Sequence, residues 1–253
     1  MTLRTLSILA ALAVVPMAAR AQKRPVRVTD APPPSDANGE PRTFGWAGGS
    51  LVLALPTGEF KNYVQVGGGL NGFAAFKLTR DGAASLRVDG TMLIYGNETR
   101  RVPLGTGALA LVSVDVTTSN LIFGLSIGPQ LMAPSGTVRP YVNGGIGFSY
   151  FATSSSVSGE NNSEPFANST NFGDGTFAVR GGGGLWIRVG HGRTPVWLDL
   201  GAQYVRNGRV SYLREGSITF DLAGNPIYSP IESETHLWMV HVGVSAGLLS
   251  RPR

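Results

Sequence analysis

Cysteine is absent from the 253 residues. This excludes a disulfide framework, a thiolate metal site and a lipid-bearing N-terminal cysteine. Charge is scarce: Asp, Glu, Lys and Arg together make 15% of the chain, against an ordinary share of ~25%. Beyond the N-terminus no apolar run reaches the ~18 residues that a spanning helix needs. Mean hydropathy is +0.07, too high for a disordered chain and too low for a helical membrane bundle. Glycine is abundant, 35 residues, roughly twice the usual ~7%. Two classes remain: a soluble all-β protein, or a membrane protein whose apolarity is hidden in alternation.

Residues 1–21 have the pattern of a secretory signal: Arg4, an apolar core from Leu6 to Val15, and the small-x-small site Ala19-Arg20-Ala21. Cleavage is expected after Ala21. The formal net charge is +5, and loss of Arg4 and Arg20 with the leader leaves +3. That excess is small and scattered, so no nucleic-acid partner is expected. Residues 22–42, with Pro32-Pro33-Pro34 among polar neighbours, have the composition of an extended tether. Residues 43–250 are expected to form one domain.

From Thr43 the dominant period is 2. Eight strands are predicted, at about 44–55, 65–79, 85–95, 120–132, 139–152, 175–189, 195–207 and 236–249. In the last, Trp238, Val240, Val242, Val244, Ala246 and Leu248 share one face, and Met239, His241, Gly243, Ser245 and Gly247 the other. A soluble barrel would turn its apolar face inward and carry Lys and Glu outside. Here the second face is glycine, serine and a few isolated charges, so the pattern fits an inverted barrel, apolar towards lipid and small or polar within. Only a closed barrel or a helix satisfies its backbone in lipid. Segment lengths of roughly 11–15 residues agree with membrane strands, which need ~9–11, better than with soluble ones, which average ~5–6. Phe76, Phe148, Tyr150, Phe177, Tyr204 and Trp238 have the outward parity and are candidates for interfacial girdles.

Short links at Arg80–Ala84, Ala133–Val138 and Gly190–Thr194 alternate with long ones at Pro56–Val64, Gly96–Ser119, Thr153–Asp174 and Gly208–Thr235. This is the pattern of a membrane barrel with turns on the periplasmic side and loops outside. Leu109–Val116 and Ser217–Leu222 also alternate and are read as extensions of strands rather than a ninth and tenth strand. The third long connection, rich in Ser and Asn, is expected to be solvated and mobile.

The leader, the eight strands, the four long loops, the segment YVNGGIGFSYF (Tyr141–Phe151) and LPTGEF (Leu55–Phe60) together resemble the small outer-membrane β-barrels of the OmpA-transmembrane and OmpX type. The resemblance covers about 43–250. It departs at the C-terminus, Leu249-Ser250-Arg251-Pro252-Arg253, where such barrels often end in an aromatic residue. It implies an all-β, eight-stranded antiparallel up-and-down transmembrane barrel in the outer membrane. It also implies a structural or surface-interaction role rather than catalysis, outer-membrane lipid as surroundings, an extracellular partner met through the loops, and a monomer. No cofactor is expected.

Lys77, Arg87, Asp89, Arg180, Arg188 and Asp199 all have the inward parity. They are expected to form a polar network filling a narrow interior, because an unpaired charge there is costly. If Arg188 pairs with Trp197, Asp199 lies diagonal to Arg188; Asp89 is expected to lie diagonal to Lys77. The functional alternative for these charges is a gate or selectivity ring. Two other classes stay open. A carrier of small hydrophobic molecules would use Trp46, Trp186 and Trp197 to line a pocket. A lipid-modifying barrel enzyme would need a histidine near the outer rim, for which His236 with Glu232 and Glu234 is the candidate, also as a weak metal set. His191 falls in a turn, and His241 reads as a packed polar residue. The run Gly181–Gly184 lacks the strand-loop-helix context of a phosphate loop and reads as close packing.

Overall fold

A computed structural model describes residues 43–103, 113–159, 165–190, 194–214, 217–220 and 226–249; residues 1–21 and 22–42, read from the sequence as leader and tether, and His191 lie outside them. The strands are β1 (Thr43–Pro56), β2 (Gly67–Lys77), β3 (Ala84–Pro103), β4 (Ser113–Met132), β5 (Val138–Gly159), β6 (Pro165–Gly190), β7 (Val196–Asn207), β8 (Arg209–Tyr212), β9 (Ile218–Phe220), β10 (Pro226–Tyr228), β11 (Ile231–Glu234) and β12 (Leu237–Leu249). Eight of them close into an antiparallel barrel in the order β1-β12-β7-β6-β5-β4-β3-β2. Closure is made by β1 on β12, from Thr43 opposite Leu249 to Pro56 opposite Leu237. Within the closed wall every barrel strand thereby has two hydrogen-bonded neighbours, which removes the sheet edge there.

Alternation decides which face each residue takes, and the exposure is inverted relative to a soluble barrel. Leu51 on β1, Leu125 on β4 and Val244 on β12 are 64%, 63% and 56% exposed. Along β12, Trp238, Val240, Val242 and Val244 are exposed while Met239, His241 and Ser245 are buried. The outward aromatics Phe76, Phe148, Tyr150, Phe177 and Trp238 are exposed as well, and Tyr204 is half-buried, its ring 5.2 Å from that of Trp238.

The barrel has a turn end and a loop end. At the turn end β2 and β3 are joined through Leu78 N–H donating to Ala84 O at 2.9 Å. Gly82 takes φ +74°, and a Cβ there would lie 2.6 Å from the Trp46 ring, so the turn needs glycine on both counts. At the loop end four strands run on past their neighbours. β3, β4, β5 and β6 have 20, 20, 22 and 26 residues, whereas β2 and β7 have 11 and 12. A bulge between Ile94 and Gly96 marks where β3 leaves the barrel wall.

These extensions correct the sequence reading. Much of Gly96–Ser119 and Thr153–Asp174 is strand ladder, not loop. Hydroxyl pairs across the strands, Thr99 with Thr117 and Thr118 with Ser155, each at 2.9 Å, supply pairing where apolar contrast is lacking. Val114–Val116 belongs to β4, as an extension, while residues 109–112 fall outside the described residues. Ile218–Phe220 does not extend a barrel strand; it forms a separate hairpin with Pro226–Tyr228.

Candidate functional site

The barrel interior is built in three strata. At the turn end Trp46, Phe73, Met132, Tyr141, Trp186 and Trp197 form one buried cluster. Trp46 meets Trp186 edge to face with ring centroids 5.6 Å apart, and Trp186 lies 6.3 Å from Trp197. Basic side chains lie against these rings: Lys77 Nζ is 4.8 Å from the Trp46 ring centre, and Arg188 is 5.6 Å from that of Trp197. Arg139 bridges Trp46 and Trp197 at 5.5 and 5.4 Å and donates to Ala133 O. Cation–π contact in a desolvated site is the favourable arrangement for such groups.

The middle stratum is polar. Arg87 on β3 donates from Nε and Nη2 to the Asp89 carboxylate at 2.9–3.0 Å, and from Nη1 to Gln130 Oε1 at 2.9 Å. Its guanidinium lies 3.9 Å from the Phe73 ring centre. Asn71 Nδ2 donates to Asp89 at 3.3 Å, and Thr91 Oγ1 donates to Asn71 Oδ1 at 2.7 Å. Asp199 on β7 accepts from the Tyr141 hydroxyl at 2.8 Å, and His241 Nε2 lies 3.1 Å from that hydroxyl and 3.6 Å from the carboxylate. Gly184 and Gly201, paired across β6 and β7, make this contact possible. A Cβ at Gly184 would lie 2.8 Å from the Tyr141 hydroxyl, and one at Gly201 2.7 Å from His241 Cε1. Arg180 on β6 is buried in the same stratum, with its Nη1 3.5 Å from Thr91 Oγ1.

The loop end is apolar again. Phe60, in a single helical turn Phe60–Asn62, meets Tyr95, Phe151 and Tyr212 with centroids 5.8, 6.1 and 5.3 Å away. Val210, Tyr212 and Leu213 come from the connection after β7. That connection is fixed by β8 pairing with β11, by the Tyr95 hydroxyl donating to Leu213 O at 3.1 Å, and by Ser211 N–H donating to Asp174 Oδ2 at 2.9 Å. Glu59 joins the two capping connections, accepting from Glu234 N–H at 3.1 Å and lying 3.5 Å from Arg209. Burial pushes the Tyr212 phenol above its usual pKa, with the hydrogen bond to Ser233 acting the other way.

Of the six predicted interior residues, Arg87, Asp89, Arg180 and Asp199 are buried in the middle stratum; Lys77 and Arg188 are half-buried at the turn end. The pairings differ from expectation. Lys77 stands opposite Ser85, and Asp89 opposite Phe73, so Lys77 and Asp89 are not diagonal neighbours. The β2–β3 turn closes tightly, which shifts the register by two residues. Asp89 takes Arg87 of its own strand instead. Arg188 does stand opposite Trp197 and Asp199 opposite Trp186. The Arg188 guanidinium nevertheless lies over Trp197, and Asp199 is engaged by Tyr141 and His241. Arg139 was missed, although it has the inward parity of Tyr141. Phe60, Tyr95 and Tyr212 were missed as a cluster because two of them sit in connections without periodicity.

At the rim His236 Nε2 lies 3.2 Å from Glu234 Oε2, while Glu232 is exposed. Among the described residues no three His, Asp or Glu side chains converge as a metal site.

No protein-family model matches the chain, and no curated protein does. Solved structures of similar fold include Neisserial surface protein A (NspA), at 12% identity and a TM-score of 0.48, covering 81% of this chain and 98% of that one. Ail, the attachment invasion locus protein of Yersinia pestis, is similar at 13% identity and a TM-score of 0.39, over 79% of this chain and 98% of Ail. Ail in complex with the heparin analogue sucrose octasulfate aligns at 10% identity and a TM-score of 0.36 over the same shares. Likeness at this level adds nothing to the barrel assignment, which stands on the strand register itself.

Proposed function

We propose that this chain is an outer-membrane β-barrel whose interior is plugged and whose role is structural or surface-interacting. The observation that carries this reading is the inverted wall: a belt of exposed Leu, Val, Ile and Phe outside, arginine, aspartate and histidine within. In water such a belt is a large aggregation-prone surface, whereas in lipid it is the ordinary exterior. The three strata favour a plug over a pore, since side chains from facing strands meet across the interior. In this reading the turn end faces the periplasm, the extended β3–β6 ladder and the capping connections face outward, and any partner is met there. The segment 1–21 acts as the export signal and 22–42 as the tether.

The carrier reading is disfavoured by the packing of the tryptophans, which touch one another and their basic neighbours rather than line a chamber. Planar-bilayer recording with the purified protein tests the proposal. The expected trace has no stable conductance steps; reproducible ohmic steps would make the interior a pore.

A further inference from the structure

Arg180 is a buried interior cation with little to hold. It is 6% exposed. Its hydrogen bond is a long one, 3.5 Å from Nη1 to Thr91 Oγ1, and its Nε has no partner. Asp89, Asn71 and Asn207 around it are already engaged, while Gln203 Oε1 and Asn143 Oδ1, diagonal to it on β7 and β5, are buried and make no hydrogen bond. Asp89 is gripped by Arg87 and Asn71, Asn71 Oδ1 accepts from Thr91, and Asn207 Oδ1 accepts from Ser149 at 2.9 Å. Gly124 on β4, the second strand along the wall from β6, leaves room for the guanidinium: a Cβ there would lie 3.2 Å from Nη2. Beside Arg180 lies a void of about 10 Å³, bounded by Thr91, Ser149 and Asn207 on its polar side and by Leu93, Ile122 and Met239 on the other. That volume admits a single water-sized occupant.

We propose that this void is a binding site for one small monovalent anion of the halide class, held by the Arg180 guanidinium. A buried guanidinium has five N–H donors and needs acceptors as well as counter-charge; Asp89 acts on Arg180 electrostatically, but its hydrogen bonds go to Arg87 and Asn71. A water molecule supplies acceptor capacity but no charge; a halide supplies both and accepts from Nε–H and an Nη–H on one edge of the fork. The apolar wall of Leu93, Ile122 and Met239 removes competing hydration. The site lies between the aromatic cap of Phe60 and Tyr212 and the tryptophan stratum. The inference concerns the barrel interior and stands whether or not the loops meet a partner.

Two measurements on the full chain test it. Crystals grown in sodium bromide should give an anomalous peak within hydrogen-bonding reach of Arg180 Nε. Urea unfolding in vesicles at constant ionic strength should show greater stability in chloride than in gluconate. At chloride ten times its dissociation constant the unfolding equilibrium constant should fall about elevenfold. The dependence should vanish in Arg180→Gln, and if that variant does not fold, the two wild-type measurements decide. Superimposable unfolding in chloride and gluconate, with or without a bromide peak, overturns the proposal: a peak alone is an adventitious ion only, and no peak leaves water in the void.

Discussion

Phe60 and Tyr212 meet edge to face over the loop end of the barrel, their ring centroids 5.3 Å apart and their planes at 89°. They come from two different connections, so this contact fastens one connection to the other. Phe60→Ala should destabilise the barrel by about 3–5 kcal/mol, the usual cost of deleting a buried phenyl. The double-mutant cycle of Phe60→Ala with Tyr212→Ala should leave a coupling of about 0.5–1.5 kcal/mol. Urea unfolding in lipid vesicles measures all of these, and full additivity would deny the contact.

Tyr212 also gives the cap a pH dependence. Burial raises the pKa of its phenol in the folded protein, so the neutral form is the one the cap holds. Stability from this group is fully present below the unfolded value of about 10 and is lost as the pH rises through the higher folded value. The tyrosinate absorbance of wild-type protein minus that of Tyr212→Phe should therefore titrate above pH 10. A difference spectrum titrating at or below 10 would contradict the buried phenol.

The Arg87–Asp89 pair is the centre of the polar stratum. Asp89→Ala leaves Arg87 buried without its carboxylate and should cost about 3–5 kcal/mol. Replacing both, as Arg87→Met with Asp89→Leu, should cost less than Asp89→Ala alone, because no charge is then stranded. Chemical denaturation that ranks the double variant as the less stable would show the pair to be net stabilising instead.

Asp199 should couple to Tyr141 and not to Arg188. Asp199→Ala removes the acceptor of the Tyr141 hydroxyl, a loss of about 1–3 kcal/mol when the donor stays buried. Combined with Tyr141→Phe the loss should be well below additive; combined with Arg188→Ala it should be additive within about 0.5 kcal/mol. The reverse pattern would restore the diagonal pair that the sequence suggests.

The wall and the inward parity of the charges were legible in the sequence because both depend only on period 2. Partner choice was not. It turns on register, and the β2–β3 turn closing at Leu78 and Ala84 moves Lys77 away from Asp89 by two residues. Nor was the loop-end ladder, because Thr99, Thr117, Thr118 and Ser155 pair through hydroxyls and show no apolar alternation. The cap was hidden for a third reason: Phe60 and Tyr212 are single aromatics in irregular segments, and only the closed barrel brings them together.

The central claim is that the apolar face of this barrel lies in lipid. The four tryptophans allow a direct test, since Trp46, Trp186 and Trp197 are 2%, 0% and 0% exposed, while Trp238 is 44% exposed on the wall. In a Trp238→Phe background, fluorescence in vesicles of lipid brominated on the acyl chains should be close to that in unbrominated vesicles. Adding Leu125→Trp, at an outward position of β4, should make the emission strongly quenched by the bromines. Quenching of the Trp238→Phe protein itself, or none on adding Leu125→Trp, would contradict the inverted barrel.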